Sequence, residues 1–177
     1  MAQDDHLILT AIGTDRVGLV EKISEFISRH GCNIEDSKLA AFCGEFAVII
    51  LISGEAGSLA NISRDQPEIE METGLSVAIK NASRHQGAEP FQSYRLTASC
   101  MDHPGIVYRI SGILSKLGVN IDSMETTTYS APISGTPLFQ LEANLSVPSP
   151  TSIDQLRESF AALQHEENID IDITAAG

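Results

Sequence analysis

The sequence predicts an α+β protein in which one small domain occurs twice. The main observation is an internal repeat, because residues 10–36 and 97–123 align without a gap at an offset of 87 residues and share eleven of 27 positions. A repeat of this length is too long for a solenoid unit and fits a small domain. The second observation is that strand-like and helix-like patterns follow one another in the same order in both halves.

In the first half, residues 6–14 read as a strand, and apolar side chains at helical spacing predict a helix over 16–30 that Gly31 ends in a left-handed conformation. Charges and a proline make the next helix, within residues 58–73, weak or broken. The other strands are predicted at 34–42, 46–53 and 75–79. The run 46–53 is apolar at nearly every position, so we expect it to be buried on both faces.

The second half repeats this order. Strands are predicted at residues 94–101, 119–129, 138–147 and 169–173, with helices at 104–117 and 153–164. Thr151 or Ser152 can cap the second helix. The strand 138–147 alternates apolar and polar residues, and the loop 130–135 is longer than the turn 43–45 of the first half.

The order β-α-β-β-α-β is the split βαβ, or ferredoxin-like, arrangement, with an antiparallel sheet and both helices on one face. We therefore predict a first domain over residues 1–80, a linker over 81–91 and a second domain over 92–177. The linker is polar and contains Gly87 and Pro90.

Composition limits the classes of function. The net charge is −13, from 24 acidic and 11 basic residues, so direct binding of nucleic acid is not expected and any action on transcription should pass through another protein. The N-terminal residues lack the pattern of a signal peptide, and the longest apolar run, 46–52, is too short to cross a membrane. Three cysteines without CxxC spacing read as reduced thiols. We predict a cytoplasmic protein.

The sharpest chemical signal is the turn between the first strand and the first helix of each copy. It reads Thr-Asp-Arg-Val-Gly around Asp15 and Gly18, and Met-Asp-His-Pro-Gly around Asp102 and Gly105. Free N–H groups at a helix start favour an anion, and a nearby carboxylate can accept an ammonium group, so the pair could hold an amino acid zwitterion. The alternative is that both aspartates are simply helix N-caps.

Asn33 and Asn120 follow the glycines at the other end of the same helices, and each either suits the turn or offers an amide to a polar ligand. One ligand could contact this end and the aspartate only if a second domain packed alongside. Arg16 and His103 occupy equivalent positions, and we expect them to flank the turn on the surface.

The sequence nominates no catalytic centre and no cofactor. It has no Walker loop and no GxGxxG, GxSxG or HExxH motif, and neither Cys32 nor Cys100 has the setting of an activated thiol. The run 165–167 and the pair Asp170 and Asp172 resemble metal ligands only superficially, so no metal is expected.

The repeated motif resembles the opening of ACT domains, whose signature is a strand, a D-x-x-G turn followed by hydrophobic residues, a helix, and then G-x-N-I. Both copies match, and the resemblance covers nearly the whole chain. It implies a ferredoxin-like fold that pairs sheets side by side and binds small ligands, often amino acids, at interfaces. It also implies two ligand sets, which are Asp15, Gly18 and Asn33, and Asp102, Gly105 and Asn120, with Arg16 and His103 beside them.

A pair of ACT domains without an attached enzyme is similar to the glycine cleavage system repressor group. This resemblance implies a non-enzymatic sensor of a small amino acid, with glycine as the candidate, that works through a DNA-binding regulator protein. An exposed sheet edge would favour a homodimer. Two other interpretations stay open at this stage: a ligand-free dimerisation module, and a regulatory subunit acting in trans on an enzyme of amino acid metabolism.

Overall fold

The structure is a computed structural model that describes residues 6–82, 91–149 and 151–176. The chain divides into two units, Met1–His85 and Gln86–Gly177. Most of the predicted linker, residues 83–90, lies outside the described residues, while the last strand of the first unit runs to Ala82 and the first strand of the second begins at Phe91.

The first unit contains four strands and three helices in the order β-α-β-β-α-α-β. Its elements are β1 (His6–Thr14), α1 (Leu19–Arg29), β2 (Asn33–Phe42), β3 (Glu45–Ser53), α2 (Ala56–Arg64), α3 (Gln66–Thr73) and β4 (Ser76–Ala82). The predicted break in the second helix is confirmed, because α2 and α3 are separate helices divided at Asp65, with Pro67 in the first turn of α3. Pro suits that place because its missing N–H would have no partner there.

The strands of the first unit form one antiparallel sheet in the order β2-β3-β1-β4. Two residues, Cys43 and Gly44, join β2 to β3, with φ of 50° and 82°. Positive φ at both central positions is the backbone of a type I′ turn, whose twist matches that of a two-stranded ribbon.

The second unit has the plain β-α-β-β-α-β order. Its elements are β5 (Phe91–Met101), α4 (Ile106–Lys116), β6 (Asn120–Ser130), β7 (Pro137–Pro148), α5 (Ile153–Glu167) and β8 (Asp170–Ala175). The sheet order is β6-β7-β5-β8, all antiparallel. Ser152 is the N-cap of α5 and its hydroxyl accepts a hydrogen bond from the N–H of Gln155 at 3.2 Å. The predicted class, two ferredoxin-like α+β domains, is confirmed.

Each unit has its own apolar core between the sheet and the helices. The largest fully buried side chains include Phe26, Ile27 and Ile62 in the first unit, and Phe160, Leu114 and Leu141 in the second. Among the described residues, no helix is long and apolar enough to cross a membrane.

The prediction that the third strand is buried on both faces was wrong for the first unit. Along β3 burial alternates: Phe46, Val48, Ile50 and Ile52 are buried under the helices, whereas Ile49 on the opposite face is exposed. The strand is apolar on both faces, but the helices cover only one of them.

Both edge strands β2 and β6 carry an irregularity at the same place. The register shifts between Ile34 and Asp36 in β2 and between Ile121 and Ser123 in β6. Each shift leaves one extra residue in the edge strand, which is the property of a β-bulge.

Candidate functional site

The Asp-x-x-Gly turn holds its aspartate outside the helix that follows. Helix α1 begins at Leu19 and its N-cap is Gly18, with φ 94° and ψ −3°. Helix α4 begins at Ile106 and its N-cap is Gly105, with φ 99° and ψ −7°. The helices therefore start later than the predicted 16 and 104, and neither glycine cap is accompanied by a side-chain hydrogen bond to the helix.

The interpretation of Asp15 and Asp102 as helix N-caps was therefore wrong. A capping side chain must come from the residue directly before the first helical residue to reach the N–H groups of the first turn. The chain instead places a glycine at that point, which leaves the N–H groups of the first turn without a partner inside the helix.

The backbone makes glycine necessary at positions 18 and 105. A φ near 95° is strained for any residue with a Cβ. A Cβ added to Gly18 or Gly105 would meet no atom within 4 Å, so the constraint comes from the backbone and not from crowding. The space over the helix start is open and accessible to a small molecule.

Both aspartates are fixed through the backbone and exposed at the side chain. The N–H of Asp15 donates to the carbonyl oxygen of Gly44 at 2.8 Å, and the N–H of Asp102 donates to the carbonyl oxygen of Pro137 at 2.9 Å. These bonds tie each turn to the chain at the start of the third strand of its unit. Within residues 6–82, 91–149 and 151–176, no side-chain hydrogen bond or ion pair uses either carboxylate, and both residues are exposed.

The residue after each aspartate reaches across to the end of the second helix. The guanidinium of Arg16 donates to the carbonyl oxygen of Thr73, the last residue of α3. Nε2 of His103 lies 3.4 Å from Oε2 of Glu167, the last residue of α5, although the two groups are not aligned as a hydrogen bond. The two side chains predicted to flank the turn thus both contact the C-terminus of the neighbouring helix.

A second pair of equivalent basic residues makes the same connection, and the sequence analysis missed it. Nζ of Lys22 donates to the carbonyl oxygen of Glu72 at 2.9 Å. Arg109, which is 87 residues further on, pairs with Glu166 at 2.5 Å and also with Glu167. Positive charge at a helix C-terminus is favoured by the helix dipole. The signal was present in the repeat, since both copies have a basic residue at this position.

The asparagines lie at the opposite end of the first helix in each unit. Asn33 begins β2, and Asn120 begins β6, where its Nδ2 donates to Oδ1 of Asp122 at 2.8 Å. Helices α1 and α4 have 11 residues, or about 16 Å, between this end and the Asp-x-x-Gly turn. The structure of one unit therefore does not bring the aspartate and the asparagine to one ligand.

A shallow groove of about 580 Å³ runs beside Asn120 along one side of α4. Its wall is made by Ser111, Gly112 and Ser115 of the helix, with Tyr108 at one end. Tyr108 is 80% exposed. The groove offers the asparagine end of the second copy a surface against which a small ligand could lie if a further chain or domain covered it.

Cys32 and Cys100 are poorly suited to nucleophilic chemistry. Burial raises the pKa of the Cys32 thiol. Burial, and to a lesser extent the charge of Asp102, raises the pKa of the Cys100 thiol. A raised pKa lowers the fraction of thiolate, which is the reactive form.

Of the acidic residues that superficially resemble metal ligands, two pair with a basic residue and two are exposed. Glu166 and Glu167 pair with Arg109, while Asp170 and Asp172 are exposed at the start of β8. Across the part of the chain that the structure describes, no group of three or more His, Cys, Asp or Glu residues is placed to hold a metal ion.

Each half of the chain contains a region that matches a known protein family. Models of the ACT domain match residues 5–80 and residues 94–128. The glycine cleavage system transcriptional repressor of Escherichia coli (strain K12) is 29% identical over 170 residues, which are 95% of this chain and 88% of that protein.

Two solved structures are similar along almost the whole chain. An unknown protein from Galdieria sulphuraria has a TM-score of 0.85 and 28% identity, covering 98% of this chain and 99% of that one. A protein provisionally identified as a glycine cleavage system transcriptional repressor has a TM-score of 0.69 and 24% identity, covering 98% of each chain. The second likeness supports the fold alone.

Proposed function

Because this chain belongs to the ACT-domain family, with one domain in each half, we propose that it is a non-enzymatic regulatory protein that senses a small amino acid. It acts on transcription through a protein partner, a DNA-binding regulator, and its field of action is glycine and one-carbon metabolism. The name of the Escherichia coli relative supports both the proposed pathway and the proposed effect on transcription.

One observation carries the sensing proposal. In both units an exposed aspartate, with no side-chain partner among the described residues, stands beside a helix start that has no side-chain cap. The carboxylate accepts the ammonium group of an amino acid, and the N–H groups of the first helical turn receive its carboxylate. The aspartate does not cap the helix in this arrangement, and this observation weakens the interpretation of the chain as a ligand-free module.

The same geometry favours a small ligand held between domains or subunits. The turn is open to solvent, and the asparagine that the family resemblance adds to each ligand set lies at the far end of the helix. A second domain or protomer must supply the other half of each site. We therefore expect the working protein to be a homodimer, with glycine as the first ligand to test.

The charge of the chain supports an indirect effect on DNA. With a net charge of −13, the protein surface repels the phosphate backbone, so a regulator of transcription with this composition needs a partner that binds DNA. All three cysteines are free, in agreement with the reducing cytoplasm as its compartment.

Thermal unfolding in the presence of each of the twenty amino acids tests the sensing proposal. A ligand that binds the native state at about 100 times its Kd adds about 2.7 kcal/mol of stability, which moves the midpoint of a small domain by roughly 10 °C or more. We expect such a rise with one or two small amino acids, glycine among them.

Two variants and one control locate the effect. Asp15→Asn and Asp102→Asn keep the size of the side chain and remove the charge that an ammonium group requires, so each should abolish the rise that its own copy provides. Asp172→Asn alters an exposed carboxylate on β8 and should leave the rise intact. The proposal fails if none of the amino acids moves the midpoint of the wild-type protein.

A further inference from the structure

The two sheets share one fold but differ on the face that the helices leave uncovered. Residues directly opposite each other in an antiparallel pair lie on the same face. On the first sheet, the two central strands present only aliphatic side chains and Thr10 at the middle of this face. We call the set Ile8, Ile12, Ala47, Ile49 and Leu51 the aliphatic face.

The second sheet is polar at every one of these positions. The offset of 87 residues identifies the equivalent positions on β5, and the strand pairing then identifies those on β7. In the order used for the aliphatic face, they are Arg95, Ser99, Gln140, Glu142 and Asn144. The second sheet is therefore built to face water, while the first sheet has the composition of a strand pair that is covered on both sides.

Within the first unit, no described helix or strand covers the aliphatic face. Ile12 is 57% exposed and Ile49 is 45% exposed, and Phe42 at the adjoining end of β2 is 73% exposed. A contiguous apolar surface of this kind on a folded domain indicates an interaction site.

Charged residues border the aliphatic face in a pattern that is complementary to itself. One row across the sheet pairs Asp36 with Leu51, Leu51 with Ile8, and Ile8 with Lys80. The row thus runs from an acid on edge strand β2, through two aliphatic residues, to a base on edge strand β4. Both charged residues are exposed.

We propose that the aliphatic face is the interface with a second copy of this chain, packed sheet against sheet about a two-fold axis parallel to the strands. That rotation places β2 of one protomer over β4 of its partner and keeps each row in register. Asp36 then faces the partner's Lys80, and Lys80 faces the partner's Asp36. A two-fold axis across the strands would instead bring Lys38 of the central row against the partner's Lys38.

The size of the face is sufficient for a specific dimer. Four strands about 4.8 Å apart, with about nine residues of 3.3 Å each, cover roughly 570 Å². Two such faces bury about 1,100 Å², which exceeds the approximately 1,000 Å² expected of a biological interface. Aligned sheets packed about 10 Å apart leave room for interdigitated Ile and Leu side chains.

This inference rests on the proposed homodimer but not on its ligand sites, because a two-fold axis along the strands leaves Asp15 and the partner's Asn33 at opposite ends of the strands. It is tested by the molar mass of the full chain in solution, measured by sedimentation equilibrium over a range of concentrations, against a chain mass of 19.0 kDa. The disrupting variant is Ile49→Glu combined with Leu51→Asn, which introduces the residues that the second sheet carries at the same positions. The control is Met71→Glu, which adds a charge at an 86% exposed apolar residue on α3.

We expect the wild-type protein and Met71→Glu to be dimers, and the double variant to show a Kd for dimerisation raised roughly a hundredfold or more. Circular dichroism must show that the double variant is folded. If it is not, the charge-reversal variants at the rim decide the question: Asp36→Lys alone and Lys80→Asp alone should weaken the dimer, and the two together should restore it.

The outcomes separate this inference from the sensing proposal. A wild-type monomer overturns the dimer, whatever the amino acids do to the unfolding midpoint. A dimer that survives both the face variant and the single charge reversals places the interface elsewhere. Single reversals that weaken the dimer without rescue by the double reversal overturn the two-fold axis along the strands. An assembly with a mass above that of a dimer, or capture only by a different protein, rejects the second copy as the occupant.

Discussion

The backbone angles of α4 predict that replacing glycine by alanine changes the free energy of unfolding in opposite directions at two positions of this helix. Gly105 is the N-cap of α4 with φ 99°, whereas Gly112 lies within the helix, and a Cβ added to either residue would meet nothing within 4 Å. Replacement by alanine therefore tests the backbone alone, without a change in packing.

The magnitudes follow from the backbone angles. Alanine at position 105 would have to adopt a left-handed conformation, which destabilises the folded state by about 1–3 kcal/mol. Alanine also lowers the conformational entropy of the unfolded chain, which offsets about 0.4–1 kcal/mol of this loss. Alanine at Gly112 should stabilise the helix by about 0.5–1 kcal/mol. The two variants should differ by about 2 kcal/mol, which is about 8–16 °C in the midpoint of a domain of this size.

The first unit supplies an independent copy of the experiment. Gly18 is the cap of α1 with φ 94°, and Gly57 lies inside α2 with open space around its Cβ position. We expect Gly18→Ala to lower the free energy of unfolding and Gly57→Ala to raise it. Because the chain has no tryptophan, far-UV circular dichroism in urea is the suitable measurement for all four variants.

The result that would refute this reasoning is stabilisation by alanine at positions 18 or 105 comparable with that at 57 or 112. The helix would then start with ordinary backbone angles, and an aspartate could return to the capping position. The sensing proposal would lose its main support.

Two further properties can be checked in solution. Hydrogen bonds from Arg64 and then from His30 lower the pKa of Asp65, so this carboxylate stabilises the fold above its ordinary pKa near 4 and loses that effect as the pH falls below it. Urea unfolding between pH 2 and pH 6 should be less dependent on pH for Asp65→Asn, and an unchanged dependence would contradict the pairing. Cys43 is exposed in its hairpin while Cys100 is buried with a raised pKa, so a thiol reagent should label Cys43 first. Cys43→Ser should remove the fast phase, and rapid labelling of the folded protein at Cys100 would show that its burial is wrong.

Most of the fold could be predicted because it depends on local patterns that the repeat presents twice. Apolar spacing gave the strands, and Gly31 does end α1 with a φ of 71°. Burial of one face of β7 followed from its alternation, since Phe139, Leu141 and Leu145 all lie in the core. These features need only the neighbours in sequence.

The errors occurred where the outcome depends on residues far away in sequence. The turn before α1 is held by a hydrogen bond between Asp15 and Gly44, which no local pattern reveals. The contact of Arg16 with Thr73 joins positions 57 residues apart. The sequence correctly indicated that β3 is apolar on both faces, but the helices of the first unit cover only one of them.

The bulges in β2 and β6 also govern how the chain can vary in length. At the bulge, Glu35 is the additional residue and Asp36 is the partner of Leu51. Deletion of Glu35 would leave Asp36 opposite Leu51 and every later side chain of β2 on its present face, at the cost of the hydrogen bond from Ser53 to Glu35. In β3, which pairs with β1 without a shift, loss of one residue would turn part of the strand over and bring exposed side chains into the core. The edge strand β2 can therefore lose one residue without a change in the orientation of its later side chains, whereas the central strand β3 cannot.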